Sequence, residues 1–173
     1  MQRVYGWFVL GAWLWVAGCG LHVESSLTAE EQQTETDGVR AFMRNVAHDI
    51  SKGGPAAWRP HFEDIPDFFM AANGSLAFHD SHSATEGIQN VAKTFKSIEL
   101  QWGDEIRVDP LTARFAVVAT TYREVLTTPD GQTVMSNGFF TAVAEKQKGQ
   151  WQFRNVHWSV PAAVAAGTKS GNS

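Results

Sequence analysis

A single cysteine, Cys19, in 173 residues leaves no intramolecular disulfide to hold the fold. Charge is also scarce, at 18% of residues, and a net balance of -4 gives no electrostatic footprint for a nucleic-acid partner. No apolar run approaches the roughly 20 residues of a transmembrane helix. The longest, Val4 to Ala17, has the length of a secretory h-region instead. There is no glycine-rich phosphate loop, no nucleophile motif and no basic aromatic patch for single strands. Tyr122 is the only tyrosine after Tyr5. What is present is enough chain for one ordinary domain with a short extension. Aromatic residues make up 12% of it, although Trp7, Phe8, Trp13 and Trp15 fall in the leader.

Met1-Gln2-Arg3 is a short positive start, and the apolar run ends at Gly18-Cys19-Gly20. Val16-Ala17-Gly18-Cys19 resembles the lipobox of bacterial lipoproteins. The resemblance implies cleavage before Cys19, diacylation of its sulfur and acylation of the new N-terminus, enough chains for stable anchoring. The alternative is an ordinary signal peptide cleaved near Ala17, or an uncleaved anchor. A lone exported cysteine has no disulfide partner and needs another reason to be there. Gly20 stands where lipoproteins kept in the inner membrane often carry Asp, so the implied address is the outer membrane, facing the periplasm. Residues 1–18 are thus read as the leader, 19–36 as lipidated cysteine and polar tether, 37–161 as the domain, and 162–173 as a disordered tail.

Val39, Phe42, Met43, Val46 and Ile50 form one apolar stripe of a first helix, stopped by Lys52-Gly53-Gly54. Thr28 and Glu31 fit a capping box as well, which leaves the start of this helix open. Pro55, Pro60 and Pro66 break the next stretch into short turns carrying Trp58, Phe62, Ile65, Phe68 and Phe69 inward. Asn73-Gly74 leads into a short strand, Leu76 to His79. A box of Ser83 and Glu86 precedes a second helix with Ile88, Val91, Ala92, Phe95 and Ile98 on one side, where Gly87 suggests close packing. Short strands follow at 100–102 and 105–108. From Thr112 to Ser159 the chain reads as three long antiparallel strands, reversed at Pro129-Asp130-Gly131 and Lys148-Gly149.

This order, with Ala84-Thr85-Glu86-Gly87-Ile88, Gly138-Phe139-Phe140-Thr141 and Gly149-Gln150-Trp151-Gln152-Phe153 leading to His157-Trp158-Ser159, resembles the nuclear-transport-factor-2-like superfamily, nearest its SnoaL-like branch. The resemblance spans residues 37 to 161. It implies an α+β, cone-shaped single domain of the cystatin-like kind, about three helices packed in a strongly curved antiparallel sheet with a pocket at its open end. Its members include isomerases, dehydratases and pure binding modules, so function must come from the site. Many relatives dimerise through the outer sheet face, which makes a homodimer one expectation.

In the ketosteroid-isomerase branch a general-base aspartate follows the first short strand, where this chain has Asp80 beside His79. That branch also uses a tyrosine on the first helix, where Phe42 or Met43 stands here, and a protonated acid in the sheet, which is missing from 136–141. The incomplete donor set weighs for Asp80 as a turn residue or helix cap. Relatives often point the equivalent of His157 into the pocket, and strand alternation groups it with Trp151, Phe153, Asn155 and Ser159. A histidine bonded within the sheet has equal claim. His79 and His82 lack a metal-ligand spacing, so neither metal nor cofactor is expected. Phe42, Trp58, Phe62, His79, Trp102, Tyr122, Phe139 and Trp151 are the candidate pocket lining. The leading expectation is a lipid-anchored envelope protein that binds a small apolar ligand or an envelope protein without catalysis. The alternatives are an isomerase or dehydratase using Asp80 and His157 as acid and base, and a structural dimerisation module.

Overall fold

A computed structural model describes residues 26–161. The expected leader, the expected lipidation at Cys19 and the expected tail from 162 onward lie outside these residues. No described helix is long and apolar enough to cross a membrane.

Helix α1 runs Ala29–Gly53 and starts earlier than its apolar stripe. Thr28 caps it, with the Glu31 carboxylate reaching back to the Thr28 amide at 2.8 Å. Residues 29–36 of the stretch expected as tether are therefore its first two turns. Val39, Phe42, Met43, Val46 and Ile50 are buried together, as the helical spacing requires. A 3₁₀ helix at Pro55–His61 follows, with Pro55 at a first-turn position and Trp58 buried.

The next stretch holds two strands where one was expected. β1 (Phe69–Ala72) and β2 (Ser75–Phe78) form a hairpin around Asn73-Gly74, both at positive φ. Phe68 is fully buried, but Phe69, expected inward, is on the opposite side of the extended chain and 42% exposed. α2 (Ser81–Thr94) follows, capped by Asp80 and Ser83 rather than by Ser83 and Glu86. It stops at Phe95, so Ile98 belongs to β3 (Ser97–Trp102) instead of the helix face. A Cβ on Gly87 would fall 2.1 Å from the Phe78 ring, which confirms the close packing at that turn.

β4 (Arg107–Pro110) and the three long strands β5 (Phe115–Thr127), β6 (Thr133–Gln147) and β7 (Gln150–Ser159) complete one seven-stranded curved sheet, ordered β2-β1-β7-β6-β5-β3. β3 and β4 share the outer edge of β5, opposite 122–127 and 116–119. The sheet is antiparallel except where β1 runs parallel to β7, so the all-antiparallel expectation is corrected at that pair.

One irregularity decides which side chains face inward. Ala144 pairs with Phe153 but Val143 with Asn155, leaving Arg154 as an extra residue in β7. Such a bulge shifts the alternation by one position. Trp151 and Phe153 point into the core before it; Val156 and Trp158 do so after it, and His157 turns outward. Arg154 Nη1 donates to Glu145 Oε2 at 2.6 Å, and Arg114 also binds the fully buried Glu145. Glu63, 1% exposed, sits in hydrogen-bonding contact with Glu145, while Gln147 donates to its Oε1 at 3.0 Å.

Burial pushes the Glu63 carboxyl up, the Glu145 charge adds to this, and the total is about 7 despite Arg154. Burial acts the same way on Glu145, but hydrogen bonds from Arg154 and Arg114 outweigh it and hold that carboxyl below its ordinary value. Of the two, Glu63 is the one that takes up a proton first as pH falls. Because the Glu63 pKa is raised on folding, its contribution to stability is full below about 4.5 and is lost as pH rises toward 7. Glu63→Gln keeps the neutral form at every pH. In urea unfolding at pH 5 and pH 8 the variant should gain on wild type by on the order of 2 kcal/mol at the higher pH; an unchanged difference would place the proton elsewhere.

Candidate functional site

The odd and even positions of β5 divide cleanly. Ala116, Val118, Thr120 and Tyr122 are buried and alternate with the more exposed 117, 119, 121 and 123. Continuing that alternation carries Glu124 and Leu126 onto the inner face, beyond the region the core fills. There they meet Pro55, Trp58 and Phe62 from the 3₁₀ segment, Met70 and Ala72 from β1, and Phe78 from β2. Ile88 and Val91 of α2, Ile98 of β3 and Trp158 of β7 close the wall. The cavity so enclosed measures about 230 Å³, below the roughly 300 Å³ at which pockets for drug-sized ligands begin. A small molecule fits it.

The walls are apolar apart from two residues. Tyr122 is buried, and its hydroxyl lies 3.1 Å from Ser136 Oγ on β6. Glu124 is half-buried and stands opposite Ser136 on one side and Leu100 on the other. No cation faces it. Desolvation alone acts on its carboxyl and pushes it up to about 7. The rings beside it are locked edge to face: Tyr122 to Trp158 with centroids 4.5 Å apart, and Trp58 to Trp158 at 5.6 Å. A second depression, of about 410 Å³, lies outside α2 among Arg59, Thr85, Gln89 and Lys93. Ala56, Ile88 and Ala92 share its wall, and no carboxylate lines it.

Of the residues singled out from sequence, Trp58, Phe62 and Tyr122 line the cavity. Asp80 does not. It caps α2, accepting from the Ser83 amide at 2.6 Å, and that bond holds its carboxyl below the ordinary range, the reverse of what a base near neutrality needs. His79 is exposed beside it, with Nε2 3.5 Å from Asp80. The Arg154 bulge puts His157 on the outer face, so the acid–base pair expected from sequence is not brought together at the cavity. Phe139, one register step from Phe140, also faces outward and is 45% exposed. Phe42 and Trp151 are core residues, Phe42 tilted against Phe153 at 4.8 Å and Trp151 close to Gly38. Trp102 buttresses the site from behind: its Nε1 donates to Met43 O at 2.7 Å and its ring stacks on Trp158. Among the described residues no three or more His, Cys, Asp or Glu side chains are grouped to hold a metal ion.

Glu124 is the residue that sequence reasoning passed over. The signal was there: a charged residue on the same strand face as Thr120 and Tyr122. On the neighbouring strand Glu124 stands in register with Ser136.

No protein-family model matches this chain, and none of the curated proteins does. Solved structures do. A nuclear-transport-factor-2-like superfamily protein from Salmonella enterica serovar Typhimurium is 21% identical, with a TM-score of 0.60 over 84% of this chain and 100% of that one. A scytalone-dehydratase-like protein from Novosphingobium aromaticivorans reaches a TM-score of 0.66 at 14% identity, over 84% and 99%. A type 2 hexachlorocyclohexane dehydrochlorinase gives 0.59 at 11%, over 75% and 87%. Identities this low carry the fold and nothing finer: residues 26–161 form an α+β domain with the nuclear-transport-factor-2-like fold.

Proposed function

We propose that this domain binds a small, mostly apolar ligand between β5, β7, α2 and the 3₁₀ segment, with Glu124 meeting the one polar group of that ligand. A single observation carries the reading: an apolar cavity of about 230 Å³ whose wall holds one carboxylate with no charge partner. Leaving a carboxyl half-desolvated costs stability, and a bound polar group offsets that cost. Filling the cavity should abolish binding without touching the core. Neutral indole, added at increasing millimolar concentrations, is expected to raise the unfolding free energy of wild type, by about 2.7 kcal/mol at a hundredfold excess over Kd. Ala72→Phe should remove that rise in thermal unfolding. Equal stabilisation of both proteins would place the ligand elsewhere.

A second reading has its own support, because Glu124 titrates near neutrality, as a group that both takes and returns protons must. On this reading the domain is an isomerase or dehydratase. Glu124 takes a carbon-bound proton next to a carbonyl and returns it along the conjugated system, while the Tyr122 and Ser136 hydroxyls are the nearest donors for the enolate oxygen. The probe is 3-cyclohexenone, whose shift to 2-cyclohexenone is followed by ultraviolet absorbance. Turnover should rise with pH through about 7 as Glu124 ionises, and Glu124→Gln should lower it by roughly 10²–10⁴-fold. A pH profile that is flat across this range would dismiss Glu124 as the base.

We further propose that the domain is exported and held at the outer membrane by lipid on Cys19. The support is the leader pattern at 1–18 and the absence of any second cysteine. Expressed with its own leader in a bacterial host, the protein should lose residues 1–18, gain the mass of acyl chains and fractionate with membranes. Cys19→Ser should be unacylated. A soluble wild-type product without added mass would sink the anchor.

A further inference from the structure

We propose that the ligand is a small organic cation, an alkylammonium or quaternary ammonium group, caged by aromatic rings and neutralised by Glu124. The proposal deepens, and rests on, the reading of the cavity as a ligand site.

The cavity wall is organised in a way that apolar filling alone does not require. Five aromatic side chains, Trp58, Phe62, Phe78, Tyr122 and Trp158, share it with one acid, and no Lys, Arg or His lines it. Ring faces carry negative charge density, so a cage of this kind attracts a cation and repels an anion. Each ring–cation contact is strengthened where water is excluded, and Trp is the strongest of the three aromatic types. Glu124 adds a full countercharge on the same wall.

The chain's other carboxylates at depth show what is missing here. Glu145 is bound by Arg154 and Arg114, and Glu35 by Lys146 at 2.5 Å. Glu63 is tied to Gln147 and Glu145. Glu124 alone makes no ion pair within the described residues, and burial is the only influence on it. The elements packed around it bring no second titratable group except Tyr122: β3 sets Leu100 across the ladder, and β6 sets Ser136. The Tyr122 hydroxyl is already engaged with Ser136. A neutral ligand would leave the carboxyl protonated and the ring faces merely apolar. A cation uses both features of the wall at once.

The ring arrangement is held from outside the cavity. Trp158 is packed by Trp102 behind it and by Tyr122 and Trp58 edge to face, while Phe78 rests against Gly87 of α2. The rings are therefore set in place before a ligand arrives, which lowers the ordering cost of binding.

The test is isothermal titration calorimetry of the purified full-length chain with phenyltrimethylammonium and with tert-butylbenzene, its uncharged isostere. At pH 8 the cation should bind at least tenfold tighter than the isostere, and the preference should shrink at pH 5.5, where Glu124 is protonated. Glu124→Gln should erase the preference. An isostere that binds as tightly as the cation overturns the inference while the apolar site stands. Failure of both probes to bind wild type overturns the ligand site itself. A preference for the cation that survives in Glu124→Gln, and at pH 5.5, removes the carboxylate from the cage.

Discussion

The buried contact between Arg154 and Glu145 governs more of this molecule than its place at one end of the sheet suggests. Arg154 is the residue that β7 has in excess over β6, and Glu145, fully buried, holds it by a hydrogen bond of 2.6 Å. A strand that kept strict alternation would carry Asn155, His157 and Ser159 inward with Phe153. The bulge instead turns Val156 and Trp158 inward, and Trp158 is the ring on which Trp58, Tyr122, Trp102 and Phe140 converge. The ion pair in the middle of β7 thus sits at the register shift beyond which Trp158 faces the cavity. Replacing buried ion pairs by apolar residues often costs no stability.

Two carboxyls in the domain are pushed toward neutrality, and their surroundings give them different roles. Glu63 is raised by burial and by the neighbouring Glu145 charge, and it belongs to a network that joins the 3₁₀ segment to β6 and β7. Its amide donates to Phe153 O at 2.9 Å, so the segment is tied there by backbone as well. Glu63 sits among protein groups, with Gln147 on its Oε1 and Arg154 3.6 Å from its Oε2. Glu124 is raised by burial alone, with open space and aromatic rings in front of it. A perturbed group inside a closed network marks structure; one facing a cavity without a partner marks a site.

The long-range plan of the fold was legible because it depends on periodicity. The buried stripe of α1 and the three long strands with their turns at Gly131 and Lys148-Gly149 follow from spacing and turn chemistry. What failed depends on single hydrogen bonds or on partners distant in sequence. The Thr28–Glu31 box does start α1, whereas α2 begins at an Asp80 cap three residues before Ser83. β1 is four residues long, and half of its pairing comes from a parallel strand in the last part of the chain. A bulge leaves no mark in the hydrophobic pattern, so the inward face of β7 was read correctly up to Phe153 and wrongly beyond it. At the site, Trp58, Phe62 and Tyr122 were legible as aromatics of the right register. The alternation from Ala116 to Tyr122 extends directly to Glu124, but periodicity alone does not say that the core ends before it and leaves a cavity there.

Glu124 cannot serve both proposed chemistries equally. A proton-transfer group works best when its pKa lies near ambient pH, and desolvation without a partner supplies that condition. A bound cation supplies the partner. By favouring the ionised form it pulls the carboxyl back toward its ordinary range, where it is a weak base for a carbon-bound proton. The charge of the ligand therefore decides what the residue does: a neutral carbonyl compound meets a carboxyl poised to exchange protons, and an ammonium compound meets a fixed counter-ion. The ring faces take sides in this choice, because they stabilise positive charge and oppose the enolate that proton abstraction creates. With Trp58 and Trp158 on the wall and one hydroxyl pair as donors, the electrostatics of the cavity lean toward holding a cation over building an anion.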